Sequence, residues 1–252
     1  MAGVGLESQP AGVARIVLDR PPLNVIDLAL ARELEEAASA VRARADVAVV
    51  LLEARGRAFS AGVDVRDHLP DRGAEMLRAF HRACQALHAL EAPVVCAVHA
   101  AALGGGCELT LVCDLVLASD RATFGQPEIR LGVLAPLASV VLPSRITPVI
   151  AADMLLTGRT LAASEALGAG LVSRVFSEGA FEAGVDAYLT EFVALSPAAL
   201  RAAKRAMRMG RGAIDFAAVE AAEKLYLETR LHAPDAIEGL RAFMEKRAPR
   251  LK

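Results

Sequence analysis

An α/β fold is predicted by three observations. Short apolar or β-branched runs alternate with segments of helical periodicity up to about residue 150, strand signals fade from Ile150 onward, and the last third reads as mostly helical. The chain has 252 residues, 54% hydrophobic and 23% charged, which is enough to bury a substantial core and unlike the composition of a disordered segment. One main unit over 1–195 with a helical region over 196–252 is the expected organisation, since no long linker separates the two.

In chain order, Val13–Leu18 reads as a strand that stops at Arg20-Pro21-Pro22, and Asp27 is placed to cap a helix carrying Leu28, Leu30, Leu34 and Ala37. Val47 to Leu52 is a β-branched apolar run. Between Gly73 and Leu90, Met76, Phe80, Ala83, Cys84 and Leu87 recur at helical spacing, and Pro93 then introduces a Val94–Val98 strand. A helix is expected from the glycine turn at Gly105, followed by a short strand over 114–118. Later helices are expected over 151–156, 163–167, 181–195 and 197–209, the last with Ser196 as cap, Pro197 in the first position, and Gly210 and Gly212 as stop signals.

The chemistry concentrates in two glycine turns and two acids. Gly104-Gly105-Gly106 lacks side chains, so a ligand could approach its N–H groups, and Glu108 follows within the expected helix. Phe59-Ser60-Ala61-Gly62-Val63-Asp64 offers a second turn able to supply an opposing N–H, and Phe124-Gly125-Gln126-Pro127-Glu128 offers a second carboxylate. Two donors for a developing oxyanion with two acids suggest thioester enolate chemistry. Taken singly, each feature has a plainer reading: a tight turn, a helix-start acid, a solvated loop residue.

Those segments, with Leu18-Asp19-Arg20-Pro21-Pro22-Leu23-Asn24-Val25, Gly56-Arg57-Ala58, Leu155-Leu156-Thr157-Gly158 and the helix near Ser196 to Met207, resemble the enoyl-CoA hydratase/isomerase (crotonase) superfamily over nearly the whole chain. The resemblance implies a spiral of β-β-α units with a C-terminal helical region used in trimerisation, although no convincing internal sequence repeat marks the spiral. It also implies an acyl-CoA substrate, with the Val63 and Gly105 N–H groups as oxyanion hole, Glu108 as base and Glu128 as acid in water addition. Ala61, Asp64, Val65 and Gly104 are the substrate-binding positions that go with it, Asp64 chiefly as a turn stabiliser. No cofactor is required, CoA being part of the substrate, and a homotrimer or hexamer is expected.

The pattern breaks at Gly132-Val133-Leu134-Ala135-Pro136-Leu137-Ala138-Ser139, where many hydratases carry a Gly-Gly-Thr-Gln-like core. This bulkier segment is similar to that of alicyclic dienoyl-CoA hydratases and leans the substrate toward a cyclic dienoyl-CoA. Straight-chain trans-2-enoyl-CoA hydration, double-bond isomerisation and a catalytically inactive RNA-binding or assembly protein are the alternatives.

Other features carry less. His81, Cys84 and His88 share a helical face without an evident fourth ligand for a metal, and His68, His99 and His232 have no nucleophile partner. Arg201, Lys204, Arg205, Arg208 and Arg211 form a basic stripe opposite Leu200, Ala203 and Met207, which reads as a solvated face, with CoA phosphates or an adjacent subunit as the functional alternative. A net charge of −2 and 4% aromatic residues disfavour nucleic acid, and no apolar run is long enough to span a bilayer. The N-terminus lacks a secretory pattern, and Cys84, Cys96, Cys107 and Cys113 sit among apolar neighbours, so cytoplasmic residence with reduced thiols is expected.

Overall fold

The computed structural model describes residues 3–7, 12–209 and 214–250. Strand β1 (Val4–Glu7) lies antiparallel to β2 (Val13–Leu18), whose bounds are those of the predicted apolar run. Helix α1 (Leu28–Arg42) starts where Asp27 Oδ1 accepts from the Leu30 N–H at 2.8 Å, and it buries Leu30, Leu34 and Ala38. There follow β3 (Val49–Ala54), α2 (Gly73–His88), β4 (Val94–Val98), β5 (Ala101–Leu103), α3 (Gly105–Leu111), β6 (Leu115–Ser119), β7 (Thr123–Gly125), α4 (Pro136–Arg145) and α5 (Pro148–Thr157). The chain continues through β8 (Thr160–Ala162), α6 (Ala163–Ala169), β9 (Arg174–Phe176), α7 (Phe181–Val193), α8 (Pro197–Met209), α9 (Phe216–Thr229) and α10 (Pro234–Met244).

The main sheet has the order β1-β2-β3-β4-β6-β9, parallel except at β1, and a smaller sheet has the order β5-β7-β8. Helices cover both faces of the main sheet, so its central strand β4 reads as an unbroken apolar run with every residue buried. One core lies between that sheet and α1 to α4. On the opposite face Val49, Leu51, Val95 and Leu117 meet Phe181, Val185 and Leu189 of α7.

The path is a spiral. After β2 the chain makes a bridge contact at Ile26, after β3 at Ser60 and Val63, after β4 it forms β5, and after β6 it forms β7; α1, α2, α3 and α4 follow these in turn. Each pass therefore sets one strand in the main sheet and a shorter extended piece in a second layer. The second-layer pieces span one to three paired residues, too few to show period-2 alternation, which is why no repeat was visible in the sequence. The same brevity explains why β5, β7, β8 and β9 were not anticipated. Helices α9 and α10, expected only as part of a helical region, are separate elements, while Gly210, Arg211 and Gly212 lie outside the described residues.

One expectation is overturned. Three of the basic residues of α8 do not form a solvated face: Arg201 donates to the carbonyls of Ala45 and Val47, Lys204 Nζ to Ala92 O at 2.8 Å, and Arg208 to His88 O, while Arg205 is exposed. Lys204 is buried and paired with Asp114 at 2.5 Å. These carbonyls lie at and just beyond the C-terminal ends of α1 and α2, where unpaired C=O groups concentrate partial negative charge. The helix docks by charge, and Ala203 and Met207 are left facing outward. Among the described residues no helix is long and apolar enough to cross a membrane.

Removal of a buried ion-pair partner leaves its mate unneutralised. Lys204→Ala is expected to destabilise the protein by about 3 kcal/mol, whereas Ala at the exposed Arg205 stays within about 0.5 kcal/mol. Urea unfolding of the two variants checks this, and equal midpoints would contradict the docking role of Lys204.

Candidate active site

Two loops from successive passes of the spiral meet edge to edge. Ser60 pairs with Ala102: its N–H donates to Ala101 O at 3.1 Å, and its carbonyl accepts from the Leu103 N–H at 3.0 Å. The Arg20–Asn24 turn braces the first loop. The Asn24 side chain accepts from the Arg20 N–H and donates to the carbonyls of Arg55 and Ala58, and Ser60 Oγ donates to Asn24 O at 2.7 Å while accepting from the Gly62 N–H. Gly62 has φ +98°, and a side chain there would place Cβ 2.9 Å from Leu103 O. Gly104 has φ +52°, and a Cβ on it would run into the Glu128 carboxylate. Only glycine allows this approach.

The approach leaves two donors uncommitted. In the bridge between Ile26 and Val63, Ile26 donates to Gly62 O and accepts from Asp64, so the Val63 N–H points to the other side. Gly105 opens α3, and its N–H has no intrahelical partner. Neither N–H donates to any group among the described residues.

The two carboxylates enter from different elements. Glu108, on α3, is 4% exposed, and its Oε1 accepts from the Ala138 N–H at 2.8 Å. Helix α4 begins at Pro136 with no side-chain cap from Ala135, so Glu108 serves as its cap from a different helix. Burial raises the pKa of Glu108; the His81 charge and the N–H groups of Ala138 and Leu137 oppose that rise. Glu128 sits in a 3-10 turn (Pro127–Leu131), and its Oε2 is buried without a partner. Burial first, then the Glu108 charge, push its pKa up to about 8. Glu108 has N–H partners for its charged form and Glu128 Oε2 has none, so Glu108 ionises first and Glu128 keeps its proton at neutral pH.

Beside these groups lies a cleft of about 290 Å³ whose wall includes Ala61, Gly62, Val63, Val65, Gly104, Pro127, Glu128 and Leu131. Of the expected substrate-binding positions, Ala61, Val65 and Gly104 are on that wall. Asp64 is not: its carboxylate caps the following 3-10 turn through the Arg66 N–H at 2.9 Å and pairs with the Arg66 guanidinium. His68, set aside in the sequence for want of a nucleophile partner, also lines the cleft, as do Arg130 and Phe243, to which no sequence motif points. Burial holds the His68 imidazole below its ordinary pKa. A larger depression of 530 Å³, on the α7 side of the sheet among Arg15, Glu53, His99 and Asp186, contains neither carboxylate.

The apolar segment that broke the sequence pattern is divided between two clusters, and its Val133 joins the one against which the cleft-wall residues Val63, Val65 and Leu131 pack. Leu137, Ala138, Val141 and Leu142 turn into the main core, and the N-terminus of their helix holds Glu108. The cleft wall is apolar through Val63, Val65, Pro127, Leu131 and Phe243. His81, Cys84 and His88 diverge: His81 Nδ1 donates to Glu223 Oε2 at 2.7 Å, and His88 Nδ1 lies 3.4 Å from Val112 O. Among the described residues no group of three or more His, Cys, Asp or Glu side chains is arranged to hold a metal ion.

The family described as enoyl-CoA hydratase/isomerase matches residues 8–252. The chain is similar to the cyclohexa-1,5-dienecarbonyl-CoA hydratase of Thauera aromatica, 36% identical over 234 residues covering 93% of this chain and 90% of that protein. It is similar to a probable enoyl-CoA hydratase of Mycobacterium tuberculosis, 37% identical over 246 residues covering 94% and 93%. Among solved structures, an enoyl-CoA hydratase from Mycobacterium avium subsp. paratuberculosis superposes with a TM-score of 0.87 at 28% identity, over 100% of this chain and 99% of that one.

The raised pKa of Glu128 has a thermodynamic consequence. Between its ordinary value of 4.5 and about 8, the folded protein holds a proton that the unfolded chain releases, so stability falls as pH rises through that window. Glu128→Gln is therefore expected to be more stable than the wild type at pH 8, by about 1–3 kcal/mol, and to lose that advantage at pH 4. Denaturant titrations at the two pH values check this; an unchanged difference would show that Glu128 is an ordinary exposed acid.

Proposed function

Because the chain belongs to the enoyl-CoA hydratase/isomerase family, we propose that it is a hydratase-type lyase that adds water across the α,β double bond of an acyl-CoA thioester, with a cyclic dienoyl-CoA as its preferred substrate. The observation that carries this reading is the pairing of an N–H-held carboxylate, Glu108, with a proton-bearing one, Glu128, beside two uncommitted N–H groups.

In this reading the thioester carbonyl lies between the Val63 and Gly105 N–H groups. Glu108 takes a proton from water as the water oxygen bonds to the β-carbon, and the π electrons move onto the carbonyl oxygen as an enolate. Glu128 then gives its proton to the α-carbon as the carbonyl re-forms. One proton is gained by the pair and one released, so its net charge is unchanged. Donors fixed in place stabilise the enolate without reorganisation, at about 3 kcal/mol for each one lost. The acid form of Glu128 is needed for addition, so turnover should fall as pH rises through about 8.

The cyclic preference is supported by the apolar cleft wall and by the name of the Thauera aromatica relative. Straight-chain hydration is the second reading, supported by the similarity to a probable enoyl-CoA hydratase. Retention of both glutamates favours water addition over isomerisation, which needs one acid/base group. A homotrimer or hexamer belongs to the same proposal. It fits the outward exposure of Val149 and Leu156 on α5 and of Met207 and Met209 on α8. Cytoplasmic residence fits four buried cysteines that are all free thiols.

Comparing hydration of crotonyl-CoA and cyclohexa-1,5-diene-1-carbonyl-CoA, followed by loss of the conjugated thioester and product mass, decides between the substrates. Glu108→Gln and Glu128→Gln are each expected to lower kcat by at least about 100-fold with the fold and CoA binding retained. Unchanged turnover in both variants would reject the mechanism.

A further inference from the structure

The cleft carries a polar side chain to which water addition gives no task. His68 closes the 3-10 turn Val65–His68 and lines the cleft together with Val63, Gly104 and Glu128. Its turn is fixed at both ends. Asp64 O accepts from the Asp67 N–H at 2.9 Å, Leu69 O accepts from the N–H groups of Arg72 and Gly73, and a Cβ on Gly73 would stand 3.2 Å from His68 O. The backbone of His68 thus abuts the start of α2, leaving the imidazole to line the cleft.

The hydrogen bond inside the turn decides which ring nitrogen is available. His68 Nδ1 lies 3.1 Å from Asp64 O. A carbonyl oxygen only accepts, so Nδ1 carries the hydrogen and, in the neutral ring, Nε2 carries the lone pair. Burial favours that neutral ring, against the opposing pull of the Asp64 carbonyl and of the Asp67 and Asp64 charges. Both carboxylates have partners of their own, Arg66 for Asp64 and Arg72 for Asp67 at 2.9 Å. Nε2 has no hydrogen-bond partner among the described residues, yet it is not sealed away from solvent as His81 Nε2 and Glu128 Oε2 are.

An accessible lone pair on a mostly apolar wall is complementary to a hydrogen-bond donor of the ligand. The other polar side chains of that wall differ in kind. Glu128 holds a proton at neutral pH, and Arg130, whose Nε donates to Thr157 O at 3.2 Å, carries donors alone. We propose that His68 is a specificity-determining residue of the cleft, its Nε2 accepting a hydrogen bond from the bound thioester, either from a hydroxyl of the acyl group or from an amide N–H of the pantetheine arm. The proposal rests on the acyl-CoA reading of the cleft.

Titration calorimetry of the wild type, His68→Phe and His68→Gln with butyryl-CoA and with each enantiomer of 3-hydroxybutyryl-CoA tests it, alongside hydration of crotonyl-CoA and the cyclic diene. Phe keeps a ring and loses the acceptor, whereas the Gln side-chain oxygen keeps an acceptor near the place of Nε2. His68→Phe is expected to bind about 10-fold more weakly, the worth of one hydrogen bond, and His68→Gln to recover most of that loss. Packing alone would give the reverse order, since Phe is the better match to an apolar wall. A loss confined to one hydroxyacyl enantiomer assigns the contact to the acyl hydroxyl, and an equal loss for all three thioesters assigns it to the pantetheine amide. Unchanged affinities in His68→Phe, or equal losses in the two variants, would overturn the proposal. The expected pattern in a protein that hydrates neither substrate would support the His68 contact and reject the hydratase reading instead.

Discussion

The close approach of the Ser60–Val63 loop to the Ala101–Gly106 turn is the constraint from which the rest of the site follows. It is a backbone contact between second-layer pieces of neighbouring passes, held by two hydrogen bonds at Ser60 and braced from behind by Asn24. Because the strands on either side are fixed in the main sheet by their parallel registers, the two loops have little freedom to separate. Side chains would block the contact, so glycine occupies it, and the N–H groups of Val63 and Gly105 are left without an acceptor among the described residues.

The carboxylates illustrate how a site is assembled at a cost to the fold. Glu108 is taken out of water and given in return the N-terminus of α4, a helix that lacks its own side-chain cap. One interaction thus serves both helix and acid. Glu128 receives no such compensation on Oε2, and its response is to hold its proton. Burial raises the pKa of both side chains, and the N–H partners that only Glu108 has set the two apart, the kind of arrangement that acid/base chemistry at neutral pH needs.

The outer helices complete this logic. Basic residues of α8 satisfy carbonyls where α1 and α2 end, so a helix that would otherwise present its charge to water is bound through it. Helix α9 then runs with Glu223 on His81 and Arg230 on Gly132, touching the surroundings of both acids from one side.

Much of this was legible in the sequence wherever a signal was local. The strand Val94–Val98 is a continuous apolar run because both its faces are buried, Val13–Leu18 is apolar apart from Arg15, and Asp27 declares a helix start by its own hydrogen-bonding chemistry. The glycine turns and the two glutamates were identifiable because the motif residues are contiguous. What only the tertiary structure decided depends on partners distant in the chain: β8 and β9, which exist through pairing rather than pattern; the inward charge of α8; and the capping of α4 by Glu108, 30 residues away. The same holds for His68 on the cleft wall and the unpaired hydroxyl of Tyr226. A sequence records which groups a residue carries, whereas burial, ionisation and hydrogen-bond satisfaction are properties of what surrounds them, and those surroundings exist only once the spiral has closed.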